Sequence, residues 1–261
     1  MLSLPLQAII PFTLSAAVVI LITIIAEKYG TKTGGIIGTI PSTVIVAYIF
    51  IALNKGTVFA SDSISVVPAE IGVNIVFSFI LISLLKRSIY SAFATSFIFW
   101  AIFSYILWYI NLENIYISVL IFFISMIISF YALEKIIKIK SVGKKQVHYT
   151  TIKILFRGFL AGSIISISVL LSNIGEVISG IVSVFPVIVL STVIISYFEH
   201  GPDFAAGIVK SMIFGCTSVV GYAVTIHFLY PVYGIVWGNI AALIVSLVIA
   251  MVILKLRNKI I

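Results

Sequence analysis

Charge is what this chain has least of. Only 9% of its 261 residues are Asp, Glu, Lys or Arg, where a typical soluble domain carries about 25%. A soluble protein of this length with so little charge would have no polar surface. Thiols are equally scarce. The one cysteine, Cys216, lies in an apolar run, which excludes an intrachain disulfide and leaves a thiol-based metal site without a second ligand. The three histidines, His148, His200 and His227, are far apart. Phosphate-loop, dinucleotide-fold and H-E-x-x-H signatures are all missing, as is G-x-S-x-G. No cofactor and no metal are expected, and no enzyme class is indicated.

What is present is apolar. The composition is 62% hydrophobic and the mean hydropathy is +1.29, which reads as an integral membrane protein with the lipid bilayer as its first partner. The net charge of +8 comes from short loops and helix ends, so no compact basic domain exists to hold nucleic acid. The first apolar run has no basic lead-in and continues past Ile20, so it is expected to stay as a helix rather than be cleaved as a signal.

A helix crossing the hydrocarbon needs about 20 apolar residues. Runs of that kind predict nine spans. The first four are 6–25, 33–53, 64–85 and 90–110, and a fifth follows at 115–133. A lysine-rich loop then precedes four more at 154–172, 177–198, 204–228 and 232–254. Threading them places 15 of the 16 basic residues on one side, with only Lys55 opposite. Short basic loops stay cytoplasmic. The expectation is therefore a multi-pass protein of the cytoplasmic membrane, N-terminus outside and C-terminus inside. Tyr105, Trp108 and Tyr109, with Tyr230 and Tyr233, suit an interfacial belt. The lysine-rich loop suits contact with anionic headgroups.

The chain also repeats itself. Gly30, Gly35, Ile36 and Pro41 recur at the same spacing as Gly175, Gly180, Ile181 and Pro186, and Gly56, Phe59 and Ala60 recur as Gly201, Phe204 and Ala205. With a two-residue gap, Gly72 and Asn74 meet Gly215 and Thr217, and Tyr90 and Ser96 meet Tyr233 and Asn239. An odd span between two four-span copies inverts the second relative to the first. The expected fold is all-α and polytopic, with about nine transmembrane helices in two inverted four-helix repeats. The divisions are 1–112, a connector helix at 113–135, a basic loop at 136–153 and the second repeat at 154–261.

The segment Gly180–Ser191, with its Gly-x-x-x-x-Phe-Pro pattern at Gly180, Phe185 and Pro186, resembles the GlpM-type family of small four-span bacterial membrane proteins. Gly35 and Pro41 fit the same pattern in the first copy, but Ile40 replaces the aromatic residue. The resemblance implies a four-helix unit, here fused in duplicate, and carries no activity with it.

The candidate site follows from the prolines. Proline removes a backbone donor and clashes with the preceding turn. A freed carbonyl in hydrocarbon is costly unless protein or cavity water satisfies it. Pro41 and Pro186 fall near mid-span, so both breaks are expected to face inward and to meet. Opposed repeats with broken helices are a common way to build a midplane site. Gly35, Thr39, Ser42 and Thr43 from one copy, and Gly180, Ser183 and Ser191 from the other, are its candidate lining. Half-helix N-termini offer free amides and a positive dipole end, which suits an anion or carboxylate. The competing expectation is plain close packing by small residues, as at Gly34/Gly38 and Gly158/Gly162.

Glu70 is the acidic residue placed clearly inside a span, and intramembrane carboxylates point to function. With Asn74 one turn deeper, it is the candidate for proton or cation coupling. Lys210 is expected to snorkel to the interface, and Asn239 to make an interhelical hydrogen bond. The leading functional expectation is a secondary transporter of a small molecule or ion, with an anion the case that the helix N-termini favour. A passive channel and a non-transporting assembly or lipid-interacting protein are the alternatives, and homo-oligomer formation is left open.

Overall fold

The computed structural model describes residues 3–28, 40–137 and 150–260. Gly35 and Thr39 lie outside them. The described residues contain no strand. Seven of their helices are long and apolar enough to cross a membrane, and the lipid bilayer is the environment they imply.

The helices are α1 (Leu4–Lys28), α2 (Ser42–Lys55), α3 (Thr57–Ser63), α4 (Val67–Leu84), α5 (Ile89–Tyr109), α6 (Ile115–Tyr131), α7 (Thr151–Leu171), α8 (Glu176–Ser183), α9 (Val187–His200) and α10 (Pro202–Ile260). A 3-10 turn at Ile64–Val66 joins α3 to α4, so the two form one long element. A π-helical turn at Ala132–Ile137 ends α6. Gly234, at φ 70°, interrupts α10, and the chain doubles back there. Tyr222 bonds Asn239, and Gly221 lies against Ile249 and Val245 of the returning arm.

Local chemistry explains where these elements start and stop. Asn114 caps α6 by accepting from the amides of Tyr116 (3.0 Å) and Ile117 (3.1 Å). Gly56 and Gly201 end α2 and α9 at φ 94° and 85°, a region costly for residues with a Cβ.

Burial sorts the elements. The Thr57–Leu84 window is 83% buried and the Glu176–His200 window 67%, against 22% for α1, α5 and α6. The centre of the molecule is therefore α2, α3–α4, α8, α9 and the first arm of α10. The outer helices present large apolar side chains outward, such as Ile98, Ile102, Leu120 and Ile127, as lipid contact requires. α1 and α7 run antiparallel: Phe12 lies against Gly162, Ile20 against Gly158, and the Ala8 carbonyl accepts from Ser166 at 2.9 Å. The small residues at 158 and 162 do pack as expected, because a Cβ on Gly162 would stand 2.7 Å from the Phe12 carbonyl oxygen.

Polar contacts gather at two ends. Lys86–Asp203 (2.6 Å), Lys153–Glu199 and Lys210–Glu134 (2.7 Å) join segments near one face. At the other, Ser61 and Ser65 meet His227, Ser63 donates to the Glu176 carbonyl, and Asn173 donates to Gln7. Lys210 is only 6% exposed, and its ammonium pairs with Glu134 at 2.7 Å.

Candidate functional site

Each proline break has the same backbone. Pro41 sits at φ −70°, ψ 42° before a 14-residue helix, and Pro186 at φ −75°, ψ 43° before another of 14 residues. The amide of Ser42 folds back onto the Ile40 carbonyl (2.6 Å), as that of Val187 does onto Phe185 (2.7 Å). Ile45 then bonds the Pro41 carbonyl (2.8 Å) and Leu190 the Pro186 carbonyl (2.9 Å). Between those bonds, the amides of Thr43 and Val44, and of Ile188 and Val189, have no backbone acceptor among the described residues. Such orphan donors are what a helix start leaves over.

Both starts open on one cavity of about 90 Å³, large enough for several water molecules. Pro41, Thr43 and Val44 line it from α2, and Pro186, Ile188 and Val189 from α9. All four orphan amides therefore belong to lining residues. The two helices leave the cavity in opposite directions. α2 runs towards the face of Ser61 and His227, and α9 towards the face of Glu199.

The remaining wall is mostly apolar, with Ile71 of α4, Ala161 and Ile165 of α7, and Val219 of α10. Three polar groups interrupt it. The Ser183 hydroxyl donates to the Gly180 carbonyl at 2.6 Å. Cys216 contributes the sole thiol. Asn74, 7% exposed, donates from Nδ2 to the Val184 carbonyl at 2.7 Å. That carbonyl is freed by the break, so Asn74 satisfies a group that lipid could not. Its Oδ1 accepts no hydrogen bond from the described residues.

The predicted lining residues separate into two groups. Pro41, Thr43, Ser183 and Pro186 meet at the cavity. Ser42, Gly180 and Ser191 are not among its lining residues. Gly180 packs α8 onto the 3-10 turn, where a Cβ would stand 2.2 Å from the Ser63 carbonyl oxygen. The Ser42 hydroxyl is buried without a partner among the described residues, and Ser191 bonds its own helix at Ile188. Small residues here serve packing or local satisfaction, which a sequence spacing does not distinguish from lining.

Glu70 and Asn74 also part company. Glu70 is fully buried against α5, where Ser104 donates to its Oε1 at 2.8 Å. Trp100 stands beside the same carboxyl, although Oε2 and the indole N–H reach no hydrogen bond of good geometry. The Trp100 ring meets Phe185 edge-on at 4.9 Å, and Phe97 stacks on Phe185 at 6.2 Å. Phe185 precedes Pro186 and lines the cavity. A chain of contacts therefore runs from the buried carboxyl through Trp100 and Phe185 to the α9 break.

One buried charge was not singled out by sequence. Arg157 of α7 is 6% exposed and donates from Nη1 to the Thr192 hydroxyl of α9 at 2.9 Å. It lies one helical turn below Lys153, which pairs with Glu199, and one turn above cavity-lining Ala161. A polar seam between α7 and α9 thus leads from one face to the cavity. Only the combination of a basic residue with the small-residue stripe at 158, 161 and 162 hinted at burial.

Asn239 behaves as expected, accepting from Tyr222 at 2.6 Å and donating to Tyr230. No group of three or more metal-ligating side chains occurs among the described residues.

Comparison with known proteins adds one likeness. Residues 8–113 match the model of a family described as "Protein of unknown function (DUF3147)". The matched stretch coincides with the first predicted four-helix unit, and its description assigns no activity. No curated protein and no solved structure matches the chain.

Proposed function

We propose that this chain is a secondary transporter of a small anionic solute, bound in the cavity between Pro41 and Pro186. The observation that carries this reading is that two helix N-termini, after Pro41 and Pro186, line one cavity. Each contributes orphan amides and the positive end of its dipole. A mostly apolar wall lowers the local dielectric, which strengthens those donors.

In this reading residues 1–112 and 154–261 are inverted units joined by a connector helix at 113–135. The matched break geometry and the antiparallel α1–α7 pair favour that symmetry. Inverted units can exchange conformations about a fixed midplane site, which is the basis of alternating access. The positive-inside bias puts the Lys86, Lys153 and Lys210 face in the cytoplasm. The polar seam past Arg157 is then the cytoplasmic route to the cavity.

Glu70 is the coupling group. It sits outside the cavity, so a proton taken up there acts through Trp100 and Phe185 on the α9 break rather than by touching the solute. Glu70→Gln keeps the shape and the acceptor for Ser104 while fixing the neutral form. In proteoliposomes this variant is expected to lose uptake driven by a proton gradient while still binding solute and exchanging it at equilibrium. Gradient-driven uptake equal to the parent's would remove Glu70 from the mechanism. Passive flux that the gradient never drives, in parent and variant alike, would instead identify a channel.

A further inference from the structure

The cavity has a second polar feature besides its amides, and together the two define a ligand. Asn74 Oδ1 is a buried acceptor of a cavity-lining residue, without a partner among the described residues. Its orientation is fixed by Nδ2, which must face the Val184 carbonyl because only the amide nitrogen can donate to it. An unsatisfied buried acceptor is unfavourable, and it calls for a neutral N–H or O–H donor. The amides of Val44, Ile188 and Val189, without a backbone acceptor among the described residues, call for the reverse, an acceptor carrying negative charge.

Resting on the transporter reading above, we infer that the solute is a short-chain hydroxycarboxylate. Its carboxylate lies between the two half-helix N-termini, and its hydroxyl donates to Asn74 Oδ1. The hydrocarbon part meets the apolar wall of Ile71, Ile165 and Val219. An amino acid fits less well. No Asp or Glu is among the described lining residues, so an ammonium would be desolvated against one neutral amide oxygen. A plain carboxylate of the same size would leave Asn74 Oδ1 unsatisfied.

Three molecules of nearly equal size separate these cases: L-lactate carries a hydroxyl, propionate carries no donor at that position, and L-alanine carries an ammonium. The purified full chain is titrated with each, and binding is read as protection of Cys216, the sole thiol and a lining residue, from a small maleimide. Lactate is expected to protect at about tenfold lower concentration than propionate, the size of one well-made buried hydrogen bond, and alanine is expected to protect least. Asn74→Leu removes the acceptor and should bring lactate and propionate together. The comparison in the unmodified protein stands even where that variant fails to fold. Equal protection by lactate and propionate overturns the hydroxycarboxylate assignment and leaves an anion cavity intact. Strongest protection by alanine overturns it in favour of a zwitterion. Protection by none of the three overturns both this assignment and a small-carboxylate reading of the cavity.

Discussion

At the residue scale, Arg157 and Asn74 carry most of the chemistry. A buried guanidinium needs polar partners to offset its desolvation, and Arg157 has the Thr192 hydroxyl as one of them. On the proposed transporter function, its charge beside the α7–α9 seam would attract an anion arriving from that face. Arg157→Gln retains a donor for Thr192 but discards the charge. The half-saturating solute concentration in uptake is expected to rise about tenfold or more, since hydrogen bonds to charged groups are worth about 1.5–3 kcal/mol. An unchanged half-saturation would remove Arg157 from the solute route. The sequence presented Arg157 only as one of the charges that set topology, because burial of a basic residue depends on what the partner helix places opposite. It likewise put Glu70 and Asn74 on one helix face. Four residues advance a helix by about 400°, and that 40° offset suffices for Glu70 to meet Ser104 of α5 while Asn74 meets the α8–α9 break. Proximity in helical register was legible, whereas the identity of the neighbour was not.

At the scale of elements, the proline breaks were the most legible feature. Proline removes a donor from its own backbone, and Pro41 and Pro186, each directly before a helix start, have nearly the same φ and ψ, whereas Pro11 lies inside α1 without ending it. Pro186→Ala should partly heal the α8–α9 break by restoring a donor and relieving the clash. The orphan amides would be drawn into helical bonds, and solute binding should fall well before the fold is lost. Undiminished binding would argue that the break does not build the site. Glycines were less legible, because one spacing covers both packing and lining. Gly180→Ala forces a Cβ to within 2.2 Å of the Ser63 carbonyl oxygen. α8 must then move off the 3-10 turn, at a cost of about 1–3 kcal/mol. Thermal unfolding in detergent should show that loss, and an unaltered midpoint would mean that the α8 contact is looser than described. Helix edges were the least certain, as when α3–α4 begins at Thr57, well ahead of the expected 64. That earlier start buries Glu70 several turns from either end of its element.

At the scale of the whole molecule, loops assigned to one side by charge alone are joined there by the Lys86–Asp203, Lys153–Glu199 and Lys210–Glu134 pairs. Lys86–Asp203 is exposed and adds little stability, while the other two pairs are partly buried, and all three show which segments share a face. The polytopic helical character was accessible because hydropathy acts along the chain, whereas nine spans were expected and seven helices of spanning length are found among the described residues. The meeting of α2 with α9 follows instead from how separate spans pack. The central claim is that meeting, and a crosslink tests it most directly. With Cys216→Ser as background, Thr43→Cys and Ile188→Cys are combined, treated in native membranes with a short bifunctional maleimide, and the chain is cut once between residues 138 and 149. If the two broken helices share one cavity, the halves stay covalently joined, and each single variant yields separate halves. Separation of the halves in the double variant, with both thiols individually reactive, would contradict the account.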